Sequence, residues 1–246
     1  MTTSNSAETG KPLDGKRALV LGASRGIGAA IVQRLASDGA DVTFTFANSV
    51  EPANTLAQDT ASTAKQVDST NRDALIEAVA TEGALDILVV SAGKAVWGDP
   101  LELKADDVQS SFDLNINAAY FAIAEAGRLM KPGGRIVIIG STSGQRVQFG
   151  GQTAYAAAKA AVDGMARGFA RDFGDREITV NVVAPGPTDT DANPADSDQA
   201  EMLRQLMTIK RYGKPTEIAG AVAYLTGPEA SFITGTTLMI DGGFGL

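Results

Sequence analysis

The stretch Arg17-Ala-Leu-Val-Leu21-Gly22-Ala-Ser24-Arg25-Gly26-Ile27-Gly28-Ala-Ala-Ile31 sets the reading of the whole chain. An apolar run ends abruptly in glycine. Apolar residues then return at Ile27, Ile31 and Leu35, the i, i+4, i+8 spacing of one helical face. A strand therefore passes into a helix through Gly22-x-x-x-Gly26-x-Gly28. Small residues at such a junction let the backbone approach a pyrophosphate, and the free N–H groups of the first helical turn face its charge. A tight turn with close helix–strand packing also asks for glycines, and the spacing is wider than G-x-G-x-x-G. The position, at the first strand–helix junction, favours the phosphate.

Outward from this junction the alternation repeats. Strands are expected at Arg17–Leu21, Val42–Phe46, Ala64–Val67, Ile87–Val90, Arg135–Ile139, Thr179–Val183 and Thr237–Ile240, as near-continuous apolar runs of the kind covered on both faces. Helical patterns lie between them, among them Val108, Phe112, Ile116, Tyr120 and Ile123 in one rhythm. Strands separated by helices imply right-handed crossovers, so the expected fold is α/β: a single doubly wound Rossmann domain, a seven-stranded parallel sheet with helices on both faces. No composition break divides the chain. Residues 12–246 are expected to form that domain, and residues 1–11, polar and without an apolar segment, a flexible lead-in rather than a signal peptide. The segment 188–210 starts with aspartates and prolines and ends with Met202, Leu203, Leu206 and Met207. It reads as a substrate lid or as a surface excursion that merely packs.

Composition narrows the chemistry. The 246 residues include no Cys and no His, so a Ser–His–Asp triad, a thiol nucleophile and an ordinary zinc site are excluded, and no metal is expected. Acid–base work falls to Tyr, Lys, Asp or Glu. Twenty-one basic against 29 acidic side chains give a net charge of −8, which argues against a nucleic-acid partner. The longest uncharged stretch, Val147 to Ala158, has 12 residues, short of the ~18 that suggest a membrane span. A cytoplasmic location is expected.

The second strand ends in Phe46-Ala47-Asn48-Ser49. A carboxylate there would bind the ribose hydroxyls of NAD, whereas an uncharged end beside an arginine accommodates a 2′-phosphate. Asn48 and Arg25 therefore predict NADP(H).

Tyr155 and Lys159 stand four residues apart on an Ala-rich helical segment, Thr153 to Ala170, which puts both on one face. A nearby ammonium favours phenolate and lowers a tyrosine pKa. The pair follows the strand Arg135–Ile139, whose exit carries Ser141, Thr142 and Ser143, and ligands of open α/β sheets bind beyond the carboxyl ends of strands.

With these residues in view, the chain from Lys16 to Leu246 resembles the short-chain dehydrogenase/reductase family. The resemblance rests on Gly22, Gly26 and Gly28, on Ser91-Ala92-Gly93 and Asn115, and on Ser141, Tyr155-x-x-x-Lys159, Pro185-Gly186 and Ile240-Asp241-Gly242-Gly243. It implies that Tyr155 gives a proton to a carbonyl oxygen and that Ser141 hydrogen-bonds that oxygen. Lys159 would depress the Tyr155 pKa and bind the nicotinamide ribose, and Asn115 would hold a water linking Lys159 to solvent. It further implies cofactor contacts from Ser24, Arg25 and Ile27 in the glycine loop, from Asp68 and Ser69 at the adenine, and from Ser91, Ala92 and Gly93. Pro185 and Gly186, with Thr188 and Thr190 beyond them, would meet the carboxamide and phosphates. An aspartate at a strand end such as Asp68 is also a common helix cap. Two departures stand out: Val90 replaces an Asn usual in the family, and Ser141 lies 14 residues before Tyr155 where 13 is commoner, leaving Ser143 as a lesser candidate.

The expected function is an NADPH-dependent carbonyl reductase or secondary-alcohol dehydrogenase. The alternative is a nucleotide-signal protein. Within the family the chain resembles in particular the cyclic-di-GMP-binding biofilm dispersal mediator branch, through Ala84 to Val90, Pro185 to Pro194 and Gly227 to Phe232, and Arg167 and Arg171 form an Arg-x-x-x-Arg pair suited to phosphates or to a solvated helix face. Reduction of acyl-carrier-protein-bound chains would want a basic docking patch. Pocket lining is expected from Val96, Trp97, Val147, Phe149 and Met207, which suits a hydrophobic or aryl ketone. The resemblance also implies a homotetramer or homodimer packed through the helices around Asn115 and Tyr155.

Overall fold

The apolar runs pair side by side in register. The computed structural model describes residues 10–246, so the expected lead-in lies outside the described residues except for Gly10 and Lys11, both exposed. The strands are β1 (Arg17–Leu21), β2 (Asp41–Phe46), β3 (Thr63–Gln66), β4 (Ile87–Val90), β5 (Arg135–Ile139), β6 (Thr179–Pro185) and β7 (Thr237–Ile240). They form one parallel sheet in the order β3-β2-β1-β4-β5-β6-β7. The expected bounds hold for four strands and shift for three. β2 starts at Asp41, whose N–H already donates to the Lys16 carbonyl at 2.8 Å. β3 lies one residue earlier, although Val67 still donates to Phe46. β6 runs two residues further, because Pro185 at its end is flanked by Gly186, whose N–H reaches the Ile240 carbonyl.

Alternate strand residues divide between two cores. Val20, Phe44, Val89 and Val137 face a layer with α1 (Gly26–Ser37), α2 (Val50–Thr60) and α8 (Pro215–Thr226). Leu19, Leu88, Ile136 and Val182 face α3 (Arg72–Ala80), α5 (Ala118–Leu129) and α6 (Thr153–Phe173). Burial on both faces explains why the strands read as continuous apolar runs. Val90, the departure from the family pattern, is 3% exposed and pairs with both Leu21 and Ile138, so the sheet has no gap there.

The rhythm from Val108 to Ile123 is interrupted. Helix α4 (Ala105–Phe112) continues through a widened π-turn, Asp113–Asn117, into α5. The extra residue rotates the register, and Tyr120, expected on the inner face, is half exposed. The 188–210 segment contains α7 (Ala200–Leu206) and packs through its own small core, in which Ala200, Leu203 and Met207 meet Tyr212 and Phe244. Met202 and Leu206 point outward, so the expected apolar face is split. Among the described residues no helix is long and apolar enough to cross a membrane.

Candidate active site

The chain runs outward from β1 to β3 and then returns to place β4 on the other side of β1. A cleft of about 1280 Å³ opens there, at the carboxyl ends of the strands. Drug-sized ligands fill roughly 300–1,000 Å³, so this cleft has room for a dinucleotide and a second molecule. Its floor is the glycine loop. Gly22 has φ +73°, and a methyl group on it would lie 2.6 Å from the Ala92 Cα, so only glycine lets the exits of β1 and β4 touch. The Gly22 N–H donates to the Thr45 hydroxyl at 3.1 Å. A methyl on Gly28 would lie 2.6 Å from the Ala23 Cα. Arg25 precedes α1 without folding its side chain onto the first turn, and it is exposed. The leading N–H groups of α1 are thus free of any side-chain cap, facing the cleft.

Helix α6 brings Tyr155 and Lys159 to the cleft from the other side. The Lys159 ammonium is 6% exposed and donates to the Ile139 carbonyl at 2.9 Å, at the end of β5. Ser141 follows β5 and caps a 3-10 turn, Thr142–Gly144, its hydroxyl accepting from the Ser143 N–H at 3.2 Å. That turn is pressed onto α6, since a methyl on Gly144 would lie 2.7 Å from the Lys159 carbonyl carbon. Asn115 sits in the π-turn, 2% exposed, and its amide donates to the Lys94 carbonyl at 2.7 Å and to the Ser111 carbonyl at 2.9 Å. Widening the helix there leaves a carbonyl that this side chain satisfies, which accounts for an Asn in mid-helix. Its Oδ1 has no partner among the described residues. A methyl on Gly93 would lie 2.9 Å from that oxygen and 3.3 Å from the Lys159 Nζ, so both atoms converge on one spot.

Electrostatics correct one expectation. Burial pushes the Lys159 amine down to about 8, with the Asp163 carboxylate pulling upward. Burial also raises the Tyr155 phenol above its ordinary value, and a side-chain hydrogen bond with Ser141 only partly counters this. The lysine stands 5.7 Å from the phenol ring centroid with its hydrogen bond spent on Ile139. Desolvation therefore outweighs the expected lowering of Tyr155 in this arrangement.

Every expected cofactor residue lines the cleft, from Gly22, Ser24, Arg25, Gly26, Ile27 and Gly28 through Asn48, Asp68 and Ser69 to Ser91, Ala92, Gly93, Pro185, Gly186, Thr188 and Thr190. Ser141, Tyr155 and Lys159 line it too, while Asn115 stands behind Gly93. Asp68 accepts from the Thr70 N–H and hydroxyl, and Asn71 caps α3, so the carboxylate orders the turn and is not the cap. Of the five expected pocket residues, two, Trp97 and Phe149, line the cleft. Trp97 and Phe149 stack with centroids 6.1 Å apart, and Trp97 leans on Tyr155 at 5.1 Å. Val96 is buried away from the cleft, Met207 packs in the small core beside α7, and Val147 lies outside the lining. Arg167 and Arg171 are exposed and do not line the cleft.

Sequence reasoning missed Thr45, whose polar side chain between Phe44 and Phe46 was the available signal. It also missed Phe244, brought to the cleft by the C-terminal turn, and the Asp163 carboxylate. Among the described residues no group of three or more acidic side chains gathers as metal ligands.

Known proteins share this architecture. The family model described as enoyl-(acyl carrier protein) reductase matches residues 22–245. The cyclic-di-GMP-binding biofilm dispersal mediator protein of Escherichia coli K12 is 59% identical over 231 residues, 94% of this chain and 98% of that protein. A crystal structure of BdcA in complex with NADPH superposes with a TM-score of 0.94 at 58% identity, covering 95% of this chain and 96% of that one. A short-chain dehydrogenase from Burkholderia cenocepacia J2315 in complex with NADP gives 0.93 at 46% identity, covering 96% and 100%.

Proposed function

The chain belongs to the short-chain dehydrogenase/reductase family of oxidoreductases, and on that premise we propose that it is an NADP(H)-dependent carbonyl reductase working reversibly as a secondary-alcohol dehydrogenase. The observation that carries the reading is the meeting of Ser141, Tyr155 and Lys159 in one cleft with an uncapped, glycine-lined helix start. The residues fit the cofactor: the glycine floor would be filled by any Cβ, and an exposed Arg25 faces the same cleft as the uncharged Asn48. Complexes of the similar proteins with NADPH and NADP support the same assignment.

NADPH, when bound, supplies the hydride. The α1 N–H groups hold its pyrophosphate, and Arg25 with Asn48 holds the 2′-phosphate. Asp68 and Ser69 border the adenine, Ser91 to Gly93 run along the sugar, and Pro185, Gly186, Thr188 and Thr190 meet the carboxamide and phosphates. Lys159 binds the ribose hydroxyls. Tyr155 hands its phenolic proton to the carbonyl oxygen of the substrate while Ser141 donates a hydrogen bond to that oxygen, which orients it and offsets its growing charge. The orphaned Asn115 Oδ1 accepts from a water that relays a proton between solvent and Lys159. Residues 188–210 act as the lid, Thr190 reaching across to Gly26. Trp97 and Phe149 form an aromatic wall beside Tyr155, so the substrate is hydrophobic, an aryl ketone before a sugar.

A second reading, binding of cyclic-di-GMP, is favoured by the likeness to the dispersal mediator protein. One experiment separates the two: NADPH oxidation across a panel of ketones and acyl thioesters, beside calorimetry with cyclic-di-GMP. Turnover of aryl ketones, with NADH clearly inferior, is expected. Tight cyclic-di-GMP binding without turnover would replace the enzyme reading, and equal use of NADH would overturn the role of Arg25.

A further inference from the structure

Asp163 is a carboxylate 6% exposed in a molecule whose other aspartates stay close to water, and the chemistry above makes no use of it. It lies one turn beyond Lys159, so Tyr155, Lys159 and Asp163 share one stripe of α6 at successive i+4 positions. A charge is not buried without partners, and its partners come from three elements. The Thr237 hydroxyl at the start of β7 donates to Oδ1 at 2.8 Å. Gln145, the last residue of the turn that begins with Ser141, stands near enough to add a favourable polar influence on the carboxylate. The charged groups facing it are Lys159 and Arg167 on its own helix, and Tyr155 is the further titratable group beside Lys159.

We propose that Asp163 is a positioning residue of the active site, its carboxylate tying β7 to the helix that carries Tyr155 and Lys159 and supplying the negative charge that faces the Lys159 ammonium. The two contacts have different consequences. The bond from Thr237 fixes β7 against the helix on the side where Gly144 already presses the serine turn onto the Lys159 backbone. The charge offsets the desolvation of an amine whose hydrogen bond goes to a neutral carbonyl. The proposal rests on the carbonyl-reductase reading for its link to turnover, but the coupling between Asp163 and Lys159 does not.

The test pairs a kinetic measurement with one that needs no turnover. Competitive acylation with peptide mapping reads the Lys159 titration directly, since this amine lines the cleft. In Asp163→Asn its midpoint should fall below that of the wild type by at least half a unit, and the alkaline limb of kcat/KM should move down with it. Asp163→Glu should restore most of both, and Thr237→Val, which keeps the carboxylate, should leave the midpoint within a few tenths. An unmoved midpoint in Asp163→Asn overturns the proposal, even if activity falls, because a merely structural residue lowers rate without moving a titration. Absence of turnover in the wild type, with the midpoint shifted as stated, overturns the reductase reading and leaves the coupling standing.

Discussion

Burial strips an ammonium of its hydration, and Lys159 keeps one hydrogen bond, to the Ile139 carbonyl. Its amine consequently titrates at about 8, against 10.5 in an unfolded chain. Between these values the unfolded chain binds a proton that the folded one does not, so the stability contribution of this group rises with pH across that window, by up to ~3 kcal/mol. On the proposed reading its chemical role runs the other way, because the ammonium is the form that would hold a ribose and support Tyr155. Activity is therefore expected to fall as pH passes about 8, while the stability gap to Lys159→Met, favouring the variant at pH 7, narrows toward pH 9.5; parallel rate profiles and thermal melts check both. Tyr155 is tested more simply. Removing its hydroxyl in Tyr155→Phe should cut kcat by ~10²–10⁴-fold and leave NADPH affinity, read by fluorescence titration, within a few-fold, since on the proposed reading the glycine loop and not the phenol carries the phosphates.

The turn after β5 depends on a missing side chain. A methyl on Gly144 would meet the Lys159 carbonyl carbon at 2.7 Å and its oxygen at 2.8 Å, backbone atoms in the middle of α6 that cannot move aside. Gly144→Ala must push the turn off the helix and carry Ser141 with it. A stability loss of about 1–3 kcal/mol is expected, with kcat lowered roughly tenfold or more because sub-ångström placement governs such steps and NADPH affinity little changed. Denaturant unfolding and steady-state kinetics on the same preparation check this. What the sequence made legible at this scale follows from periodicity. Strands covered on both faces show as apolar runs, the i+4 pair Tyr155 and Lys159 is visible on any helical wheel, and glycines at a strand–helix junction announce a close approach. The π-turn that carries Asn115 has no such signature, because one inserted residue leaves the apolar spacing nearly intact. Gly144 and Asp163 were silent for another reason: their meaning lies in what a distant segment brings against them, the body of α6 in one case and Thr237 in the other. Residue order alone carried the half of the cleft built from strand ends better than the half built from loops, where Val96 and Met207 turn inward.

At the scale of the molecule, α5 and α6 lie together on one face of the sheet, their inner sides in the core with Ile136 and Val182. An aromatic group reaches from that core to the surface. Tyr120 is 50% exposed, and its ring lies 5.3 Å from Phe169 and 5.7 Å from Phe121, while Phe169 stacks on Phe173 at 5.3 Å. The π-turn is what swings Tyr120 outward, so the element that positions Asn115 also shapes this surface. Tyrosine is a residue that keeps water at its hydroxyl and buries its ring against a partner, and a two-fold contact would set this patch against itself. The homodimer or homotetramer expected from the family would be packed here, clamping the helix that holds Tyr155 and Lys159 from the side opposite the cleft. Tyr120→Asp places a charge in the centre of such a contact, where burial without a partner is costly. Sedimentation should then move from a larger assembly toward the 25.3 kDa single chain. The cleft, formed within one chain, should keep NADPH affinity, while the melting temperature falls as the clamp is lost. A wild-type protein that already sediments as a single chain, or a variant whose assembly is unchanged, would move the interface away from these helices.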